Sequence, residues 1–189
     1  INISNLLKQK KIYTKIISPV HINEYLKINK NSNSFYIDKY PKYTRKIIYS
    51  LNRKIFNLSA KLINPDIIHK TYYHHHQKFN NAKTVLTIYD LTHELMSEKF
   101  DYKGDYYDKK KAINNSDKII CISKNTKKDL INYYQIQEDK IEVIYLGGDH
   151  LGLPHPLIKK ENIILYVGSR EKYKNFKCLI NAYSNSNFL

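Results

Sequence analysis

Three consecutive histidines, His74, His75 and His76, are the most conspicuous groups in the chain that could do chemistry. Imidazole ligates zinc, copper and nickel. Adjacent histidines on a loop seldom converge on one ion without a carboxylate or thiolate to complete the site, so a polar loop is the better reading and no metal is expected. Tyr72 and Tyr73 precede them, and aromatic faces pack in cores as readily as they stack on sugar rings. Ser123 lies in no G-x-S-x-G and has no His or Asp partner that the sequence places, so helix capping accounts for it better than nucleophilic attack. Cys121 and Cys178 lack C-x-x-C spacing, which leaves them as buried small hydrophobes rather than zinc ligands or a disulfide.

Such residues act only where secondary structure holds them. Residues 2–10 read as a short helix end, and 13–19 as an apolar strand closed by a turn. Over 42–63, Ile47, Ile48, Leu51, Ile55, Leu58 and Leu62 recur at spacings of three and four, one face of an amphipathic helix that Asn64 and Pro65 stop. Five short strands follow, at 66–69, 83–89, 118–123, 140–146 and 162–167, and most carry the adjacent branched or large apolar residues of strands buried on both faces. Helical patterns fill 106–115, 125–134 and 175–183, with Ser123 placed to cap the second. This alternation predicts an α/β fold with a doubly wound, Rossmann-like parallel sheet.

Ligands on such sheets bind beyond the carboxyl ends of the strands. That rule selects segments 69–73, 90–94, 123–126, 147–149 and 168–175. Gly152, Pro154 and Pro156 mark 150–162 as a linker. The expected organisation is a first domain over 1–149 and, over 163–189, the start of a second Rossmann-like domain left incomplete, because one βα unit cannot bury its own sheet.

The chain has 189 residues, 42% of them hydrophobic, with 18 Tyr, 6 Phe, 5 Gly and 5 Pro, so it can build a core and is neither a disordered tail nor a collagen-like repeat. No run approaches the roughly 18–20 apolar residues of a membrane span, and residues 1–11 lack the apolar region of a signal peptide, which makes a cytoplasmic protein the default. Its 32 Lys and Arg against 17 Asp and Glu give a net charge of +15. Such a charge draws a protein toward nucleic acid or an anionic membrane. Only Arg45, Arg53 and Arg170 are arginines, however, whereas Lys, Asn, Ile and Tyr, the residues of A- and T-rich codons, abound together. Base bias therefore accounts for most of the charge, and no nucleic-acid partner is expected.

Taken in order, the post-strand segments resemble glycosyltransferase family 4, the large retaining family of the two-domain GT-B fold. The matching pieces are Asp66-Ile-Ile-His69-Lys-Thr-Tyr-Tyr73, Thr84-Val-Leu-Thr-Ile-Tyr-Asp90-Leu-Thr-His-Glu94, Ser116-Asp-Lys-Ile-Ile-Cys-Ile-Ser123-Lys-Asn-Thr126-Lys-Lys-Asp-Leu130, Lys140-Ile-Glu-Val-Ile-Tyr-Leu-Gly-Gly-Asp149 and Ile164-Leu-Tyr-Val-Gly-Ser-Arg-Glu-Lys-Tyr-Lys-Asn175. The resemblance implies that the first domain holds the acceptor, a glycan or lipid-linked glycan, and that the second holds a nucleotide-sugar. His69, Tyr72, Tyr73, Asp90, His93 and Glu94 would line the acceptor side of the cleft. Gly168, Ser169, Arg170 and Lys174 would hold the donor phosphate: Gly168 lets the backbone approach closely and Lys174 supplies a point charge to the leaving diphosphate. The resemblance also implies that no cofactor or metal is needed, and that a hexose such as mannose is transferred for surface polysaccharide at the inner membrane face.

Three departures qualify it. Ser169 stands where the family often has Arg, with Arg170 one position later, and Tyr89 replaces a His that commonly precedes Asp90. The family's first strand and Gly-rich loop are expected before residue 2, and its acidic catalytic pair beyond Leu189, so the chain reads as a fragment that alone should not turn over. The alternatives are a basic nucleic-acid-binding module and the inactive product of a split gene.

Overall fold

A computed structural model of the chain describes residues 2–27, 32–73, 77–96, 106–147, 163–170 and 174–186. Two compact units divide it: Ile1–Asp90 with Asp105–Ile144, and Leu91–Gly104 with Tyr145–Leu189. In the first unit the chain runs α1 (Asn2–Gln9), β1 (Ile16–His21), α2 (Glu24–Lys27), β2 (Ser32–Tyr36), α3 (Arg45–Ile63), β3 (Ile67–Lys70) and β4 (Lys83–Ile88). After α4 (Thr92–Leu95), which lies in the second unit, it continues with α5 (Tyr106–Asn114), β5 (Lys118–Cys121), α6 (Lys124–Tyr134), a 3-10 turn (Glu138–Lys140) and β6 (Ile141–Val143).

All strand pairings among the described residues are parallel, in the order β3-β4-β5-β6 for one sheet and β1-β2 for the other. The fold class is the expected one: α/β, Rossmann-like, with parallel strands most of which are joined through helices. The sheet is nevertheless divided in two. The four-stranded sheet holds the core, because Leu86, Ile88, Ile119, Cys121 and Ile141 on the strands and Ile113 and Leu130 on the helices are all but inaccessible. Burying each of these Leu and Ile side chains contributes about 1.5–3 kcal/mol. At the start of this sheet Asp117 clamps β4: its carboxylate accepts from the Thr84 amide at 2.7 Å, and its own amide donates to the Thr84 carbonyl at 2.8 Å.

The strand expected at 13–19 runs instead from Ile16 to His21. Pro19 has no N–H to give a ladder and is tolerated at a bulge. The register shifts between Ser18 and Val20, and pairing resumes beyond it. Val20 pairs with Phe35, and its own amide and carbonyl are engaged by a side chain. Asn52 of α3 accepts from the Val20 amide at 2.9 Å and donates to its carbonyl at 2.8 Å.

Helix α3 joins this sheet to the other. Ala60 packs with Ile68 and Ala82, and Phe56 meets Phe79 edge to face, 6.3 Å between ring centres. Asn64 ends the helix in the left-handed region and returns its amide to the Ala60 carbonyl. The apolar stripe that the spacing picks out is not the buried face: Ile47, Leu51, Ile55, Leu58 and Leu62 are exposed. Asn52, Phe56 and Ala60, roughly on the opposite side of the helix, make the inward contacts.

In the second unit, α7 (Phe176–Ser184) is the helix expected there. The strand expected at 162–167 is absent among the described residues: 163–167 enters no ladder, and Ile163, Ile164, Leu165 and Val167 are exposed. A strand needs a partner to satisfy its backbone, and no described strand pairs with it. Cys178 is likewise exposed on α7, not buried, whereas Cys121 is buried as expected and its thiol is pushed up to about 11 by desolvation.

Candidate functional site

The carboxyl ends of β3, β4 and β5 converge on a small polar and aromatic cluster. Just after β3, Tyr73 is buried and its ring lies 4.8 Å from that of the exposed Tyr72. Lys109 of α5 is also buried, and its ammonium stands 4.8 Å from the centre of the Tyr73 ring. The same ammonium donates to the carbonyl of Asp90, just after β4, at 3.2 Å. A buried ammonium must be compensated, and here an aromatic face and a carbonyl help to do so. Lys109 therefore ties two of the expected acceptor-side residues, Tyr73 and Asp90, to one point.

The next turn is fixed from α6. Ser123 accepts from the Thr126 amide at 3.0 Å with its backbone extended, which makes it the N-cap that its position predicts. The Thr126 hydroxyl in turn donates to the Tyr89 carbonyl at 3.2 Å. Both carbonyls leaving β4, those of Tyr89 and Asp90, are thus held from neighbouring helices.

His69 takes another direction. Its Nε2 lies 2.8 Å from the Thr87 hydroxyl on β4, and desolvation of the ring lowers its pKa. Alternation along β3 puts Lys70 on the other face, where it is buried and donates to the Gln77 carbonyl at 2.8 Å. Burial pulls the Lys70 pKa down to about 8, with Asp117 acting in the opposite sense. Lys70 tethers the return of the chain between β3 and β4. His93 and Glu94 lie on α4 in the second unit, Glu94 buried and His93 half-buried. The histidine run, residues 74–76, falls outside the described residues, as do residues 148–162.

The expected donor-side group lies wholly in the second unit. Gly168 adopts φ +149°, a backbone conformation that an L side chain rarely takes. The Tyr166 hydroxyl donates to the Ser169 carbonyl at 2.7 Å. Arg170 sets its guanidinium 4.9 Å from the centre of the Phe176 ring, at the start of α7. Lys174 is exposed just before that helix. Among the described residues no group of three or more His, Cys, Asp or Glu side chains could hold a metal ion.

Sequence reasoning missed Lys109, Lys70 and Thr87. Lys109 has a usable signal: it begins the run Lys109-Lys110-Lys111 but sits three and four residues before the buried Ala112 and Ile113, on the inward side of α5.

A parallel α/β unit with its polar residues at the carboxyl ends of the strands is a ligand-binding architecture. The chain belongs to Glycosyltransferase Family 4, whose model matches residues 8–150. Among solved structures, one similar chain is a glycosyltransferase from Rickettsia africae ESF-5, at 20% identity and a TM-score of 0.47. That match covers 98% of this chain and 45% of the other, so this chain spans about half its length. No curated protein matches.

Proposed function

We propose that this chain forms the acceptor side of a retaining glycosyltransferase that moves a hexose, such as mannose, from a nucleotide-sugar to a glycan or lipid-linked acceptor. The observation that carries the reading is the family match over residues 8–150, which spans the whole Tyr73–Asp90–Lys109 cluster. In the reaction the bond from the anomeric carbon to the diphosphate breaks with its electron pair going to the diphosphate, an acceptor hydroxyl oxygen bonds that carbon, and the hydroxyl proton passes to the departing diphosphate. Asp90 accepts hydrogen bonds from acceptor hydroxyls, and Tyr72 offers a ring face to a sugar. Gly168, Ser169, Arg170 and Lys174 face the donor phosphates, with Arg170 supplying the charge that Ser169 lacks. The reaction belongs to polysaccharide assembly at the cytoplasmic membrane face and uses no metal cofactor.

The test is a panel of uridine and guanosine diphosphate hexoses offered to the polypeptide joined to its flanking sequence. Release of nucleoside diphosphate from one donor, with the anomeric configuration kept in the product, is the expected result. This chain by itself is expected to release none. Inversion, or a strict divalent-ion requirement, would overturn the mechanism. Failure to turn over any donor, joined to nucleic-acid binding whose logarithm falls steeply with log salt, would replace the reading with a basic binding module.

A further inference from the structure

Helix α3 carries an apolar stripe on its solvent side. Ile47, Leu51, Ile55, Leu58 and Leu62, spaced by four, four, three and four residues, are 37–78% exposed. Those spacings stack the five side chains along one line of the helix surface. An exposed apolar line of this length on a soluble protein marks an interaction surface.

The polar residues of the same helix say what covers it. Its 19 residues include Arg45, Lys46, Arg53, Lys54 and Lys61, and no Asp or Glu. Lys46, Lys54 and Lys61 are exposed and lie along one flank of the stripe. Tyr43, two residues before the helix, is 98% exposed, and tyrosine rings favour the boundary between lipid and water. No described helix is long and apolar enough to cross a membrane. An apolar line bordered by lysines and free of acidic groups is the pattern of a helix lying in a bilayer interface, its apolar side among the acyl chains and its ammonium groups at anionic headgroups. A second copy of the chain would instead set like charge against like.

We infer that α3 docks this protein on an anionic lipid bilayer through Ile47, Leu51, Ile55, Leu58 and Leu62, with Lys46, Lys54 and Lys61 on the lipid phosphates. The inference stands on α3 alone and holds whether or not the chain transfers sugars.

The experiment is flotation of the purified chain with vesicles of phosphatidylcholine, alone or with about 30% phosphatidylglycerol to give the surface an anionic potential. Binding to the anionic vesicles is expected to exceed that to neutral ones by at least about tenfold, and to weaken with salt. Leu58→Ser/Leu62→Ser should abolish most of it without lowering Tm, because both side chains are exposed. Lys46→Gln/Lys54→Gln/Lys61→Gln should remove the preference for anionic lipid. Three results would overturn the inference. Both variants could bind like the parent, making the overall charge responsible. Tm could fall for the leucine pair, meaning that the stripe packs inside the protein in solution. A dimer seen by sedimentation could be lost in that pair, meaning that a second copy covers it.

Discussion

The ammonium of Lys109 stands 4.8 Å from the centre of the Tyr73 ring, and both residues are buried. Replacing Lys109 with Met keeps most of the aliphatic stem but removes the cation from the ring and the donor from the Asp90 carbonyl. The expected loss is about 1–3 kcal/mol of unfolding free energy. Urea denaturation of Lys109→Met beside Lys110→Met checks it, since Lys110 is exposed and its loss should cost almost nothing.

Asn52 is expected to be worth more than its polarity suggests. Asn52→Ala leaves both backbone groups of Val20 without their partners and should cost about 1–3 kcal/mol. Amide hydrogen exchange is the direct readout. The Val20 amide should lose protection in the variant while the Leu86 amide, inside the four-stranded sheet, keeps its own.

Lys70 makes stability depend on pH in the alkaline range. Its pKa falls from an ordinary 10.5 to about 8 in the folded protein, so between those values the unfolded chain binds the extra proton. Stability therefore rises with pH through this window, and the cost of burying the charge is fully present below pH 8. Compared with Lys70→Met, the native protein should gain about 2 kcal/mol between pH 7 and pH 10. Unfolding free energies of the two proteins measured across that range decide it, and a constant difference would contradict the assignment.

Ser123 serves as a cap. Ser123→Ala should destabilise by about 1 kcal/mol, whereas Ser123→Asp, which keeps an acceptor for the Thr126 amide, should retain most of the stability. Thermal unfolding of both variants tests this, and an Asp variant as unstable as the Ala variant would refute it.

The strands β3 to β6 were readable from the β-branched or large apolar residues that each carries: Ile67 and Ile68, Val85 and Leu86, Ile119 and Ile120, and Ile141 with Val143. β2 was not, since its sequence Ser-Asn-Ser-Phe-Tyr looks like a turn and becomes a strand only by pairing with β1. Periodicity marked the apolar line of α3 correctly but could not say which side of the helix the rest of the fold would cover. Phe56 and Ala60, not Leu58 and Leu62, found partners. At the site, Tyr73 and Asp90 followed from the rule about strand ends. Their common tie did not, because Lys109 sits among three lysines and only its place on α5 separates it from the two others. The residues from 163 to 167 have a strand's composition without its neighbours, and composition alone makes no hydrogen bonds.

The amide of Asn52 has one more effect, on how the molecule behaves among its own copies. An uncovered strand edge is a template on which other chains can add. With the N–H and C=O of Val20 both occupied by a side chain from α3, β1 offers no free backbone pair at that residue, and Pro19 beside it has no N–H to give. A strand recruited along that edge would meet an interruption in the second half of β1, which works against edge-to-edge growth there.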